Sequence, residues 1–314
     1  MTTAISQRMS NSGSWRAALA ALCLVAAASG CSVRQYAASS IGDALVQGGD
    51  VYASDDDIEF VGAAVPFGLK TIESLLATVP EHRGLLLAAT RGFTQYAYVY
   101  VQMPADELQA RDVTAAYAMR DRARRLYLRA RDYGLRGLGL AGSDAARRLF
   151  VDPAGTLAAT TAEDVPLLYW TALAWAAAIS LGKDSPALVA GLPAVSALVA
   201  RAAELEPDWD QGTLQTFLIG YEMSRPDAAA DAARRARAHF ARAVELSEGH
   251  QAAPYVSLAE SVAVPRHDRR EFQAMLARAL AVDPGARPEW KLANLVMQRR
   301  ARWLRARADE LFPE

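Results

Sequence analysis

The sequence is short of the groups that carry chemistry. It has 2 cysteines, Cys23 and Cys31, and none follows Cys31. The body of the chain therefore forms no intramolecular disulfide. Its 4 histidines, His82, His239, His250 and His267, are scattered and do not make a metal site. No H-E-x-x-H, G-x-S-x-G or C-x-x-C occurs, so no nucleophile–base pair or metal constellation is visible. Gly182-Lys183-Asp184-Ser185 offers the lysine of a phosphate loop, but the upstream glycine and the preceding strand are missing. Charge of one sign is also lacking. Lys plus Arg is 34 against 35 Asp plus Glu, which leaves no whole-chain field to gather nucleic acid. Gly (20) and Pro (14) are not in excess, so nothing suggests disorder. No segment sustains a two-residue alternation, which argues against a sheet. These absences predict no enzyme, no cofactor, no metal and no nucleic-acid partner.

What is present begins with an address. Arg8 and Arg16 precede an apolar stretch over 17–28, the layout of an export signal. Ala28-Ser29-Gly30-Cys31 follows, small residues before a cysteine, and resembles a bacterial lipobox. That resemblance implies cleavage before Cys31 and acylation of Cys31, with Ser32 favouring the outer membrane. Several acyl chains on one residue anchor stably where a single chain does not. The alternatives are an ordinary signal peptide or an uncleaved anchor. The expected division is 1–30 signal peptide, 31–54 lipidated tether with a short helix over 41–46, and 55–314 a single domain.

Apolar residues make up 52% of the chain, enough for a real core. The most apolar stretch, 165–181, carries no charge and is rich in Ala and Leu, good helix formers. With 193–205 it reads as a helical hairpin, begun by Asp164 as N-cap and interrupted at Gly182. A helix apolar all round is buried on several sides. A membrane span is the competing reading, at the bottom of the length range. Elsewhere helix follows helix: 58–79 to Pro80, 81–103 to Pro104, 113–138, 211–223, 228–246, 254–264, 268–282 and 288–311. Asp55-Asp56-Asp57 lacks the spacing of a calcium loop and sits where a helix start favours negative charge.

The helices repeat. Ala202-Ala203-Glu204-Leu205-Glu206-Pro207, Ala243-Val244-Glu245-Leu246-Ser247-Glu248 and Ala279-Leu280-Ala281-Val282-Asp283-Pro284 are one pattern. Their spacing is close to the period of ~34 residues of a tetratricopeptide repeat. Such pairs cannot bury their faces alone and stack into a curved solenoid. The expected fold is all-α, four to five helix pairs with 288–311 as a cap.

Two further features invite a role. Arg120, Arg122, Arg124, Arg125, Arg129 and Arg131 form one basic cluster, and Arg299, Arg300, Arg302, Arg305 and Arg307 another. They read as solvated faces and salt bridges, with an acidic partner as the alternative. Aromatic residues gather on three predicted helices: Tyr96 and Tyr100; Tyr169, Trp170 and Trp175; Trp209, Phe217 and Tyr221. Repeat proteins use most such residues as core. These eight are the candidates for contact with an apolar ligand or a partner's helix.

The combination resembles the T component associated with tripartite ATP-independent periplasmic (TRAP) transporters. The matching stretches are Leu168-Tyr169-Trp170 with Ala174-Trp175, Ala203 to Pro207 with Asp208-Trp209, His239-Phe240-Ala241-Arg242-Ala243, Pro254-Tyr255-Val256, Leu292-Ala293-Asn294, and Gln298 to Leu304 with Asp309-Glu310-Leu311-Phe312. The link 224–230 departs from it by lacking a Gly-Gly. The resemblance implies a periplasmic, membrane-anchored lipoprotein of tetratricopeptide-like repeats that can form a homotrimer with pores. It implies association with the periplasmic solute-binding protein of the transporter and delivery of a small ligand, which can be hydrophobic. The other reading is a scaffold that holds peptide segments during envelope assembly.

Overall fold

The computed structural model describes residues 33–46, 48–140, 142, 144–225 and 230–313, and every regular element among them is helical. The expected signal segment, Cys31 and most of the link 224–230 lie outside the described residues. The stretch expected as a tether carries two helices, α1 (33–46) and α2 (Gly49–Ala53). Gly42 lets α1 settle closely, since a Cβ there would lie 2.9 Å from Leu85 Cδ1.

α3 (Ile58–Leu76) starts at Asp57, whose carboxylate accepts a hydrogen bond from Phe60 N at 2.9 Å. Asp55 accepts from Asp57 N at 2.8 Å, so two of the three carboxylates order the helix start as expected. α4 (Arg83–Ala97) does not stop at Pro104. It passes through a π-helical turn, Tyr98–Gln102, into α5 (Met103–Leu108). Proline lacks an N–H and its ring collides with the carbonyl four residues back. The wider turn just before Pro104, in which Met103 N bonds to Tyr98 O, accommodates both defects.

α6 (Val113–Gly137) is polar overall, yet buries Ala116, Ala123, Tyr127, Ala130 and Gly134 along one stripe between α4 and α9. Gly134 is required there: a Cβ would overlap the side chain of Thr171. The short α7 (Ala145–Val151) and α8 (Pro153–Leu157) lead to α9 (Val165–Ser180). α9 is packed by α4, α6, α11 and α12, which explains why it is apolar on every side. Asp164 does not cap it. Its carboxylate turns back to Thr161 N at 2.7 Å and pairs with Arg83.

α10 (Pro186–Val189) and α11 (Leu192–Leu205) follow. Together, 186–205 is long and apolar enough to cross a membrane by length and composition. In the fold it is two helices broken at Ala190 and Gly191, and the inner face of α11 packs on α9. α12 (Trp209–Ser224) pairs with α13 (Ala232–Leu246), then α14 (Ala253–Leu258) passes through a second π-helical turn, Ala259–Ala263. α15 (Arg269–Ala281), α16 (Lys291–Ala306) and the short α17 (Ala308–Leu311) complete the order. α16 packs on α14 and α15 and returns to touch α2 and α3, so the last long helix meets the first.

Candidate functional site

The start of α12 decides where the aromatic residues meet. Asp210, Gln211 and Gly212 take positive φ values of 51°, 51° and 95° in succession. Two of them are not glycine, and each left-handed residue of that kind costs about 1–2 kcal/mol. The turn is held from both sides. Arg242 Nε donates to Asp208 at 3.0 Å, and Gly212 presses on α13, where a Cβ would come 3.1 Å from Ala243 Cα. Strain of this kind persists only where the surroundings over-determine it. Its effect is to lay Trp209 against Tyr169, ring centroids 4.8 Å apart.

Tyr169 is the centre of the group. Trp170 meets it edge-on at 5.1 Å and Phe217 at 5.9 Å, and Phe217 stacks on Tyr221 at 5.6 Å. Such arrangements are favoured by the ring quadrupoles. Tyr169 is buried, which together with the nearby Asp210 carboxylate pushes its phenol pKa well up. Trp170, Trp209, Phe217 and Tyr221 are half-buried. The Tyr221 hydroxyl donates to Ser196 Oγ at 2.8 Å. Arg91 lies over Trp170 and Arg225 over Tyr221, at 5.8 and 5.9 Å. The result is a partly open aromatic surface with one hydroxyl pair and a cationic rim, suited to a flat or apolar organic group.

The remaining three candidates are elsewhere. Trp175 is core, 3% exposed, under Gly191 and below the Arg131 guanidinium. Tyr96 and Tyr100 pair at 5.4 Å on α4 and its π turn. Tyr100 donates to Ile58 O at 2.9 Å and lies over Gly62, which ties α4 to α3, and burial pushes its pKa up to about 12.

The two basic clusters are mostly paired. Arg120 binds Asp106, Arg124 and Arg125 bind Asp121, Arg129 binds Glu73, and Arg131 binds Asp132. In the second cluster, Arg299 binds Glu59 and Glu107, and Arg300 binds Asp106 and Glu260. Arg300 is 6% exposed. Burial opposes its charge, but Glu260 and Asp106 outweigh that and raise its pKa. Tyr98 faces the same group, and burial pushes its pKa up to about 12. This Asp106–Arg300–Glu260 group, in which Arg300 is the buried member, was missed from the sequence. The signal was the run from Gln298 to Leu304, whose specificity now has physical content. Gln298 Nε2 donates to the carbonyls of Ala279 and Val282 at the end of α15, at 3.2 and 2.7 Å. Trp303 lies between two guanidinium groups, Arg300 at 4.3 Å and Arg307 at 4.7 Å. A cleft of about 450 Å³ opens beside it, with Pro104, Glu107 and Arg111 on the opposite wall. Among the described residues, no group of three or more His, Cys, Asp or Glu could hold a metal ion.

Comparison with known proteins places the chain in a family. A protein of Treponema pallidum (strain Nichols), described as uncharacterized, is 31% identical over 310 residues, covering 93% of this chain and 95% of its own length. Residues 54–312 match the family described as TRAP transporter T-component, TAtT. That span includes the aromatic surface, the paired arginines and the Gln298-to-Leu304 run, and the chain belongs to the TRAP transporter T-component family.

Proposed function

We propose that the protein is a non-enzymatic ligand-binding and delivery module of a TRAP transporter. The observation that carries this reading is the convergence of Tyr169, Trp170, Trp209, Phe217 and Tyr221 on one surface in a chain of the T-component family. Four of these rings keep part of their surface accessible beside the left-handed turn. The ligand is small and organic, with an apolar or aromatic portion that lies on the rings. The helix pairs act as tetratricopeptide-like repeats in one domain over 55–314. Acylation of Cys31 holds that domain at the periplasmic side of the outer membrane. There it docks the periplasmic solute-binding protein and passes the ligand to it. A homotrimer is the assembly expected of such a module.

The test is native mass spectrometry of the protein purified from its own envelope, with and without the solute-binding protein. A co-purified small molecule in the native chain, lost in Trp170→Ala and in Phe217→Ala, is the expected result. Truncation of such aromatic contacts costs roughly 1–3 kcal/mol of binding, a fall of about five- to 150-fold in affinity. Docking of the solute-binding protein should survive both changes. A chain that carries no small molecule, and recovers envelope-assembly proteins instead, would replace delivery with the scaffold reading.

A further inference from the structure

The helices fall into two halves, α1–α11 and α12–α17, which meet mainly in two places. The places differ in the side-chain contacts that cross them. The first is the aromatic junction, where Leu214 and Leu218 of α12 join the apolar core of α9 and α11 beside the rings of Tyr169 and Phe217. The second is the return of α16 to the first helices, where ion pairs cross beside buried apolar residues, Val61, Met103 and Ala105 on one side and Trp290 and Val296 on the other. Lys291 binds Asp56 at 2.7 Å, Arg299 binds Glu107 at 3.1 Å and Glu59 at 3.3 Å, and Arg300 binds Asp106 at 3.0 Å. The apolar clusters of the first helices, built on α3, α4, α6 and α9, contain no residue of α16. The cluster that includes α16 draws only on 240–312. The cleft beside Trp303 leaves the seam incompletely filled.

We propose that the seam is a latch: the two halves part between α5 and α16 and stay joined at the aromatic junction. Apolar contact at close packing does not weaken with salt, whereas exposed ion pairs are screened and individually weak. Asp56 and Glu59 are largely exposed, so the Lys291–Asp56 and Arg299–Glu59 pairs are of that kind, while Arg299–Glu107 is half-buried. Arg300–Asp106 is the buried member. It does not bind the halves irreversibly, because both groups keep partners when the seam parts. Glu260 stays with Arg300 on the α14–α16 side, and Arg120 stays with Asp106 on the α5–α6 side. Neither charge is left bare, which removes the usual penalty for breaking a buried pair. The two π-helical turns flank the seam, one carrying Tyr98 and the other Glu260, and such turns recur at functional sites. Parting exposes the wall around Tyr98 and Arg300 and gives a ligand access between the halves. That consequence rests on the delivery reading above; the parting itself does not.

The test needs neither ligand nor partner. The full chain with Cys23→Ala and Cys31→Ala has no thiol. Phe60→Cys on α3 and Arg302→Cys on α16, both exposed, place spin labels on the two sides of the seam. Ala200→Cys with Ser224→Cys labels the aromatic junction as a control. Distances are read by double electron–electron resonance at about 0.01 M and about 1 M salt, where the Debye length falls from about 30 Å to about 3 Å. A longer-distance population should appear across the seam at high salt, and at low salt in the Lys291→Gln/Arg299→Gln variant, with the control pair unchanged. A seam distance that stays fixed at both salts and in the variant overturns the latch. So does lengthening of both pairs together, which is general unfolding. None of these outcomes touches ligand binding, so the delivery reading stands or falls separately.

Discussion

His239 shows how much one residue's surroundings decide. Gln215 is oriented by donating through Nε2 to Pro207 O at 2.7 Å, which turns its amide oxygen to His239 Nδ1, also 2.7 Å away. The ring therefore carries its proton on Nδ1, and Nε2 faces Glu222 at 3.9 Å. Burial lowers the pKa below the ordinary imidazole value; Glu222 pulls it up and Arg235 down. Between the lowered folded value and the ordinary value near 6.5, the unfolded chain binds the extra proton, so stability falls as pH drops through that window. The His239→Gln variant should show a urea midpoint that changes less than the native one between about pH 8 and about pH 5. An equal decline in both would assign the pH sensitivity to other groups. His239 was visible in the sequence only as a member of a matching run. Nothing in its spacing told that it would be half-buried beside two glutamine and glutamate partners. The aromatic residues behaved the same way. Type and helix placement were enough to nominate Tyr169, Trp170, Trp209, Phe217 and Tyr221, but not to separate them from Trp175, which lies a helical turn further along α9 and turns into the core.

At the scale of elements, the long helices follow from periodicity and caps, and the deviations come from backbone requirements that periodicity does not encode. Pro104 reads as a stop until the π turn before it relieves the clash. α1 reads as a tether because its exposed side carries Val33, Tyr36 and Ile41, while its buried residues are only Ala38 and Gly42. The left-handed entry to α12 has one visible sign, Gly212, and two residues before it that give no hint. This entry makes a sharp prediction. In Gly212→Ala, the φ of 95° is unfavourable for any residue with a Cβ, and that Cβ would press on Ala243 Cα at 3.1 Å. Both effects act together, so the substitution should destabilise by more than about 1 kcal/mol. It should also release Trp209 from Tyr169. Near-ultraviolet circular dichroism reports the ring contact, and a Gly212→Ala protein with an unchanged aromatic signal would show that the turn does not place Trp209. Asp210→Gly is the complementary variant, since glycine fits the same backbone without the steric cost; it should keep the aromatic signal.

The whole molecule is held by apolar clusters and by ion pairs. The clusters join neighbours along the chain and also distant helices, since Ala174 of α9 packs with α3, α4 and α6. The neighbour burial was legible, because a pattern of helix pairs implies it. The ion pairs that join distant segments were not. Arg-rich helices state that partners exist but not which ones, and Arg299 finds Glu59 and Glu107 only because α16 returns to the first helices. Carboxylates engaged in this way make the fold sensitive to acid. Asp164 has its pKa lowered despite burial, by the Thr161 N–H and the Arg83 guanidinium, and Glu73 is lowered against burial by Lys70, Tyr133 and Arg129. A lowered folded pKa contributes stability that is fully present above the unfolded value of about 4 and is lost as pH falls through the folded value. The denaturation midpoint should therefore fall below about pH 4, where the unfolded carboxylates take up protons first. Arg83→Gln isolates one source. It removes the charge that pairs with Asp164 while leaving the Thr161 hydrogen bond, so the variant should start less stable at neutral pH and lose less on acidification. Arg83 is half-exposed, which screens the pair and keeps the difference small. Parallel acid-denaturation curves for the native chain and Arg83→Gln would refute a role for that pair and leave the decline to other lowered carboxylates such as Glu73 and Asp56.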